Sequence, residues 1–346
     1  MEHLSRNLLL LAFIALLASC GNKATHRPPV AETVVVAYVT SWTDVQPDPS
    51  VMTHINYAFG HVNETFDGVR IDNPQRLRSV VALKEKVPSL QVLLSVGGWE
   101  SGGFSEMATD EGRRQRFADD CARAVQEYGL DGIDIDWEYP TQNVAGISAS
   151  PHDTDNFTLL MRDLRHALGE GKLLTLATVC SAKYFDFPAF LPYVDFVNVM
   201  AYDMGSPNGH HAALYTSEHS GTMTSHEAVQ AHLEAGVPAE KLVMGMPFYG
   251  RGRNGFPAYA DSVANGLAEP RYTELWDSTG MFPYFENAEG AFVYGYENAA
   301  SIAAKCEYIL ANDLLGGMYW EYADDKDGSM RNTVAGMLLG TVPDGE

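Results

Sequence analysis

The stretch DGIDIDWEYP, residues 131–140, places four acidic side chains in a segment that otherwise has the composition of a buried strand. Side chains alternate along a strand, so Asp134, Asp136 and Glu138 share one face, while Asp131 lies on the other. Burying three carboxylates without partners costs on the order of several kcal/mol each. A column of acids in a core strand therefore predicts a chemical site, and Asp131 is expected to have a separate, structural role.

Seven further apolar, β-branched segments accompany the strand predicted at Gly132–Glu138. They are Val34–Thr40, His54–Phe59, Gln91–Gly98, Leu173–Cys180, Val194–Tyr202, Leu242–Tyr249 and Leu315–Glu321. Helical patterns lie between most of them, at Asp110–Tyr128, Thr154–Leu168, Ser225–Glu234 and Asn298–Leu310. Near-continuous apolar strands that alternate with helices are typical of a buried parallel sheet, and eight repeats predict a closed (β/α)8 TIM barrel.

Two stretches depart from this regular pattern. No helix is predicted after the first strand, where residues 42–52 form a proline-rich connection to the second strand. Residues 252–297, between strands seven and eight, are long, irregular and rich in aromatic residues. A loop of this length usually carries function or a small structure of its own. We therefore assign residues 33–346 to one barrel domain, with 252–297 as a short insertion.

The N-terminal residues differ in composition from the barrel. An unbroken apolar run from Leu8 to Ala18 is too short to span a membrane and is typical of a signal peptide. The run ends in LASCG, residues 17–21, which resembles the lipobox of bacterial lipoproteins. This resemblance predicts a signal peptide at 1–19, lipidation of Cys20, a polar tether over 20–32 and a membrane-anchored protein of the bacterial cell envelope. An ordinary signal peptide with an incidental cysteine is the alternative.

Charge and cysteine content exclude several partners. The formal net charge is −22, from 45 acidic against 23 basic residues, which disfavours nucleic acid and anionic lipid. The remaining cysteines, Cys121, Cys180 and Cys306, are odd in number and lack the spacing of a zinc site, so we expect no disulfide. We predict a monomer without a metal or another cofactor.

The acidic column suggests proton-transfer chemistry. Catalytic groups of such barrels lie at the C-terminal ends of the strands. Along a strand, successive carboxylates of the column are about 6 to 7 Å apart at the backbone, so their repulsion raises at least one pKa. Glu138, nearest the mouth, is the best candidate for a general acid, with Asp136 beneath it and Asp134 deeper. The Asp-x-Asp-x-Glu spacing also suits a Mg²⁺ or Ca²⁺ site, and spacing alone leaves both interpretations open.

Aromatic residues favour a carbohydrate ligand over a phosphate. Sugar rings present apolar C–H faces that stack on aromatic planes. Eight aromatic residues fall at or just after strand ends, namely Tyr38, Trp42, Phe59, Trp99, Tyr139, Tyr202, Tyr249 and Trp320. For Phe59 and Trp42 taken singly, ordinary core packing is as good an explanation. Their clustering at one end of the strands predicts an aromatic-lined acidic cleft.

Five motifs resemble those of glycoside hydrolase family 18, the chitinases and endo-β-N-acetylglucosaminidases. DxxDxDxE is present as Asp131, Asp134, Asp136 and Glu138, and SxGG as Ser95 to Gly98. MxYD is present at 200–203, PFYGRG stands at 247–252, and GGMYWEYADD stands at 316–325. The resemblance covers nearly all of residues 33–340, and each motif ends a predicted strand.

The resemblance implies retaining hydrolysis of β-1,4-linked N-acetylglucosamine, in which the 2-acetamido group of the substrate replaces an enzyme nucleophile. Glu138 would protonate the glycosidic oxygen, Asp136 would orient the acetamido group, and Asp134 would share charge with Asp136. Tyr202 would hydrogen-bond the acetamido oxygen. The expected substrate-binding residues are Tyr38, Phe59, Gly98, Trp99, Met200, Asp203, Tyr249, Arg251 and Trp320.

Other functions within reach of the same motifs remain open at the level of sequence. An endo-β-N-acetylglucosaminidase would use the same column on the chitobiose core of N-glycans, although Trp137, Tyr139 and Pro140 around the acid resemble chitinases more. A lectin that binds glycans without cleavage is disfavoured because Glu138, Asp136 and Tyr202 are all present. The short insertion predicts an open groove suited to soluble chitooligosaccharides or host glycan cores.

Overall fold

A computed structural model describes residues 33–205, 209–252 and 272–341. The predicted signal peptide at 1–19, Cys20 and the tether at 20–32 lie outside the described residues, as does part of the predicted insertion, residues 253–271. Within the described ranges, no helix is both long and apolar enough to cross a bilayer.

Eight parallel strands close into a barrel, as the sequence predicts. The barrel strands are β1 (Val34–Thr40), β2 (His54–Val62), β4 (Gln91–Gly97), β5 (Gly132–Asp136), β6 (Leu173–Val179), β7 (Phe196–Met200), β8 (Leu242–Pro247) and β13 (Gly316–Trp320). Around the barrel their order is β1-β13-β8-β7-β6-β5-β4-β2, and β2 pairs back onto β1. The short strand β3 (Val69–Ile71) pairs antiparallel with the end of β2.

Helices cover the outside of the barrel. They are α1 (Pro74–Val81), α2 (Phe104–Thr109), α3 (Glu111–Tyr128), α4 (Asp153–Leu168), α5 (Phe187–Phe190), α6 (Ser225–Glu234), α7 (Ala299–Ala311) and α8 (Ser329–Leu339). Short 3-10 turns lie at Pro49–Val51, Ala82–Glu85, Val144–Gly146, Ala239–Lys241 and Tyr322–Asp324. Side-chain caps fix several starts: Asp110 accepts from the N–H of Arg113, and Thr224 forms a capping box with Glu227.

The predicted insertion is more regular than the sequence indicated. Four short strands, β9 (Arg251–Gly252), β10 (Thr273–Asp277), β11 (Phe282–Glu286) and β12 (Phe292–Gly295), form a separate antiparallel sheet. The expectation of irregular structure over 252–297 was therefore wrong for the described part. Its aromatic residues pack on one another and on the segment after β7: Tyr284 stacks on Phe292, Phe285 stacks on Tyr296, and Phe282 stacks on His210. These contacts give a small sheet a core that its short strands alone would not supply.

The apolar side chains form two layers, one on each side of the barrel wall. The larger layer fills the space between the strands and the helices, with fully buried residues such as Ile133, Leu160 and Phe117. A smaller cluster fills the barrel interior, where Val36, Phe196 and the aromatic residues near the mouth pack together. Burying one such aliphatic or aromatic side chain contributes about 1.5–3 kcal/mol. The interior layer forms a packed base beneath the acidic column.

Candidate active site

Strand β5 carries the two deeper acids of the column into the barrel interior. Asp134 is fully buried and accepts four hydrogen bonds. The donors are Tyr38 Oη at 2.8 Å, Ser95 Oγ at 2.8 Å, Thr175 Oγ1 at 2.6 Å and Asn198 Nδ2 at 3.3 Å. Burial raises the pKa of Asp134, and the hydrogen bonds oppose that rise. Among the acids of the column, this one has the partners that a buried carboxylate needs.

Asp136 is buried next in the column with far fewer partners. Its Oδ1 atom has no hydrogen-bond partner among the described residues. Burial raises the pKa of Asp136 well above its usual value, and the negative charges of Glu138 and Asp134 raise it further. The four donors stabilise the charged form of Asp134, whereas Oδ1 of Asp136 has no donor, so a proton shared within this pair is favoured on Asp136. The unpartnered oxygen is left for a ligand.

Glu138 lies two residues beyond the end of β5 and lines the cavity above it. Burial raises the pKa of Glu138 to about 7; a hydrogen bond with Tyr139 opposes the rise, and the negative charge of Asp203 adds to it. A carboxyl group with this pKa is protonated in a large fraction of molecules at neutral pH, as a general acid requires.

Asp131 has the structural role expected of it. Its carboxylate pairs with Lys84 Nζ at 2.6 Å and accepts the backbone N–H of Val92 at 2.8 Å. These contacts tie the start of β5 to the start of β4 and to the turn after α1, away from the acidic column.

A cavity of about 390 Å³ opens above the column at the C-terminal ends of the strands. Its walls are mainly aromatic: Trp320 stacks on Phe59 at 5.6 Å between ring centroids and lies 5.6 Å from Tyr38. Trp42 and Trp99 remain 62% and 58% exposed, so two indole faces are available to a ligand.

A second cavity of about 610 Å³ adjoins the first. It shares with the first cavity Trp99, Glu138, Tyr139, Asp203, Tyr249 and Trp320, and it adds Arg251 and Asp324. Together they form one groove that passes the acid Glu138.

Two glycines allow the walls of this groove to approach closely. A Cβ atom on Gly97 would lie 2.0 Å from the backbone oxygen of Asp136. Gly98 has a φ of +94°, and a Cβ there would lie 2.6 Å from the ring of Phe59. The structure therefore gives the two glycines of the SxGG motif the role of bringing β4 against the acidic strand and against an aromatic wall.

The carboxylate of Asp203 is held at the mouth of the cavity. Tyr249 Oη donates to its Oδ1 at 2.7 Å, and Arg251 Nη1 lies 3.1 Å from the same oxygen. Burial pushes the pKa of Asp203 up, but His211, Tyr249 and Arg251 outweigh that effect and leave the pKa below its usual value. Tyr249 and Arg251, predicted to contact sugar hydroxyls, thus also hold an anion beside Glu138.

Most of the predicted site residues converge on one place. The first cavity is lined by Tyr38, Phe59, Trp99, Asp136, Glu138, Met200, Tyr202, Asp203, Tyr249 and Trp320. Asp134 and Gly98 lie behind this wall, and Arg251 lines the second cavity. The hydroxyl of Tyr202 donates to Met318 Sδ at 3.9 Å, a weak partner that a ligand can replace.

The structure adds lining residues beyond the catalytic and substrate-binding residues expected from the sequence. They are Trp42, His61, Gly97, Tyr139, Ala177, Val179 and Cys180. Trp42 and Tyr139 carried a signal, since both are aromatic residues close after strand ends. The strand β2 extends three residues beyond its predicted end at Phe59, and His61 is one of these three. Cys180 was considered only for disulfide formation. Cys121, Cys180 and Cys306 are free thiols.

Metal binding, the alternative interpretation of the acidic column, has little geometric support. Within the residues that the structure describes, no group of three or more His, Cys, Asp or Glu side chains is arranged to hold a metal ion. The four donors around Asp134 already occupy the oxygens that a cation would need.

The same barrel occurs in known proteins. The model of the glycosyl hydrolases family 18 matches residues 34–325. The chain belongs to this family. It is 30% identical to chitinase A1 of Niallia circulans over 92% of its own length and 61% of that protein. It is 28% identical to chitotriosidase-1 of Mus musculus, over 89% and 77% of the two chains.

Solved structures of a family 18 N-acetylglucosaminidase and of chitinases superimpose closely on this barrel. A family 18 N-acetylglucosaminidase from Paenibacillus barengoltzii matches with a TM-score of 0.81 and 35% identity, over 88% of this chain and all of that chain. The Group IV chitinase of Ostrinia furnacalis in complex with allosamidin matches with a TM-score of 0.80 and 29% identity, over 89% and 99%. Some relatives are much longer: this chain spans 43% of the chitinase ChiW chain from Paenibacillus.

Proposed function

We propose that this protein hydrolyses β-1,4 linkages between N-acetylglucosamine units of soluble chitooligosaccharides. The observation that carries the proposal is the column itself, in which Asp136, whose pKa burial raises well above its usual value, and Glu138, whose pKa burial raises to about 7, line an aromatic cavity. Family membership and its chitinase relatives support the same reaction class. In the proposed reaction Glu138 gives its proton to the glycosidic oxygen as the bond to the anomeric carbon breaks.

We further propose that the acetamido oxygen of the substrate attacks the anomeric carbon. The acids around the cavity are poor nucleophiles, because Asp134 accepts four hydrogen bonds and Asp203 is bound by Tyr249 and Arg251. The unpartnered Oδ1 of Asp136 accepts a hydrogen bond from the acetamido N–H and thereby orients the acetamido group. The negative charge shared with Asp134 stabilises the oxazolinium ion that forms.

In the second half of the reaction, Glu138 acts as a base. After losing its proton, Glu138 takes a proton from a water molecule. The oxygen of that water bonds to the anomeric carbon as the bond from the acetamido oxygen breaks, which opens the oxazolinium ring and leaves Glu138 protonated again. Water enters from the face that the leaving group vacated, opposite the acetamido oxygen, so two successive inversions leave the product with the anomeric configuration of the substrate. Trp320, with Tyr38 and Phe59 packed against it, provides an apolar floor for the sugar.

Substrate choice tests the proposal against its nearest alternative. We expect purified protein to cleave chitotetraose and to leave a high-mannose glycopeptide intact, because aromatic residues line both of the cavities that meet at Glu138. Product analysis by chromatography checks both reactions. Cleavage of the glycopeptide alone would establish an endo-β-N-acetylglucosaminidase, and binding of chitotetraose without any cleavage would establish a lectin.

The pH dependence of the reaction follows from the state of Glu138. As the general acid must carry its proton in the free enzyme, we expect kcat/KM to fall as pH rises, with a midpoint near pH 7. A pH profile of aryl chitobioside hydrolysis measures this alkaline limb. A midpoint near the ordinary glutamate value of about 4.3 would show that the buried site does not hold the proton as described.

A further inference from the structure

Behind Asp203 lies a buried histidine that none of the family motifs noted above includes. His211 is fully buried, and its ring packs on Tyr249 at 5.0 Å and on His210 at 5.5 Å between centroids. The backbone N–H of Asp203 donates to His211 Nδ1 at 3.3 Å, and the same nitrogen lies 3.4 Å from Asp203 Oδ1. One ring atom therefore contacts both the main chain and the carboxylate of Asp203.

The backbone of Asp203 needs such support. Its φ is +59°, in the left-handed region that non-glycine residues seldom adopt. A hydrogen bond to its N–H favours this conformation over the alternatives that a loop residue could take. The conformation in turn places the carboxylate where Tyr249 and Arg251 reach it, beside the acid Glu138.

The other nitrogen of the ring contributes no comparable contact. Nε2 of His211 is buried without a hydrogen-bond partner among the described residues. Leaving a buried polar atom unsatisfied costs about 1–3 kcal/mol, so a ring retained only for packing would be replaced with advantage by phenylalanine. The polar contact that justifies a histidine here is the one at Nδ1.

We propose that His211 is a positioning residue for the hydrolysis reaction, holding Asp203 through Nδ1 so that the Asp203 carboxylate stays beside Glu138. The inference rests on the proposed function. The negative charge of Asp203 helps to raise the pKa of Glu138, so displacing Asp203 lowers that pKa. His211 touches no reacting atom and acts only through Asp203.

The charged and titratable groups that face His211 come from several elements. Asp203 and His210 belong to the segment after β7, and Tyr249 and Arg251 follow β8. Beyond His210 lies the buried ion pair of Glu297 with Lys305, whose Glu297 Oε1 is 4.0 Å from His210 Nε2. Substitutions that keep the size of His211 are therefore preferred, because they leave this layer in place.

Two variants separate the Nδ1 contact from packing. His211→Phe keeps the stacked ring and removes both nitrogens, whereas the amide of His211→Asn places a polar atom close to the Nδ1 position. We expect the alkaline limb of kcat/KM in His211→Phe to move to lower pH by about half a unit or more, with a larger fall in kcat than change in KM. We expect the alkaline limb of kcat/KM in His211→Asn to stay at the pH of the wild-type limb. If His211→Phe does not fold, His211→Gln, which moves the amide away from the Nδ1 position, replaces it.

The control is His232→Phe, which removes another fully buried histidine, bonded to Thr178 on β6 and to Ala228 on α6. In this variant the alkaline limb of kcat/KM should stay at its wild-type pH, even if the protein melts at a lower temperature. An unmoved limb in active His211→Phe, or an equal shift in His211→Asn, would overturn the inference. Wild-type protein inactive on chitooligosaccharides would instead refute the proposed function, so the two failures are distinguishable.

Discussion

Replacing Glu138 with glutamine is expected to lower kcat for chitooligosaccharide hydrolysis by about 10³-fold or more while leaving ligand binding nearly unchanged. Glutamine has the shape of glutamic acid but no proton to transfer, and the rest of the cavity wall is untouched. Turnover of an aryl chitobioside and calorimetric binding of chitotetraose measure the two quantities on the same preparation.

A matched control for this variant is Glu100→Gln. Glu100 is exposed, follows Trp99 and is absent from the lining of both cavities, so its substitution should leave kcat within about twofold of wild type. Wild-type turnover in Glu138→Gln would move the acid to another residue. Loss of both turnover and binding would indicate instead that the cavity had been disrupted.

The second large effect is expected at Asp136, where activity and stability should change in opposite directions. Asp136→Asn should lower kcat by about 10²-fold or more, because an amide, unlike a carboxyl group, cannot pass a proton to Asp134 and take up the negative charge that would stabilise the proposed oxazolinium ion. The folded protein raises the pKa of Asp136, so ionisation of this group opposes folding as pH rises above its unfolded value. Removing the carboxyl group should therefore raise the melting temperature at pH 8.

Steady-state kinetics and thermal unfolding at pH 8 measure both effects. A residue that served only packing would give the opposite pattern, with a lower melting temperature and near-normal turnover. A variant that is both less stable and less active would show that Asp136 has a structural partner which its free Oδ1 does not suggest.

The barrel and the acidic column were accessible from the sequence because each depends on a local pattern. Strand periodicity alone places Asp134 and Asp136 inward, and the structure puts both inside the barrel. The strands mostly end one to two residues earlier than predicted, because the residues at the mouth turn away to form the site. Glu138 is such a residue, just beyond the last hydrogen-bonded position of β5.

Features that depend on long-range packing were less accessible. The sequence placed Trp42 and Trp320 at the same end of the barrel, but nothing local to Trp42 specifies that the two rings contact each other, with 6.3 Å between their centroids. The small sheet of β9 to β12 was not predicted because its strands are short and joined by segments without clear periodicity. The contact of His211 with Asp203 arises from the path of a loop, which hydrophobic patterning does not specify.

The central claim, that the acetamido group of the substrate takes the place of an enzyme nucleophile, is tested most directly by removing that group. The measurement compares aryl release from an aryl chitobioside with release from the matched glycoside whose sugar next to the aryl group is glucosamine. We predict release from the acetylated glycoside and at least about 10³-fold slower release from the glucosamine form. Equal rates for the two glycosides would contradict the mechanism and require a nucleophile from the protein.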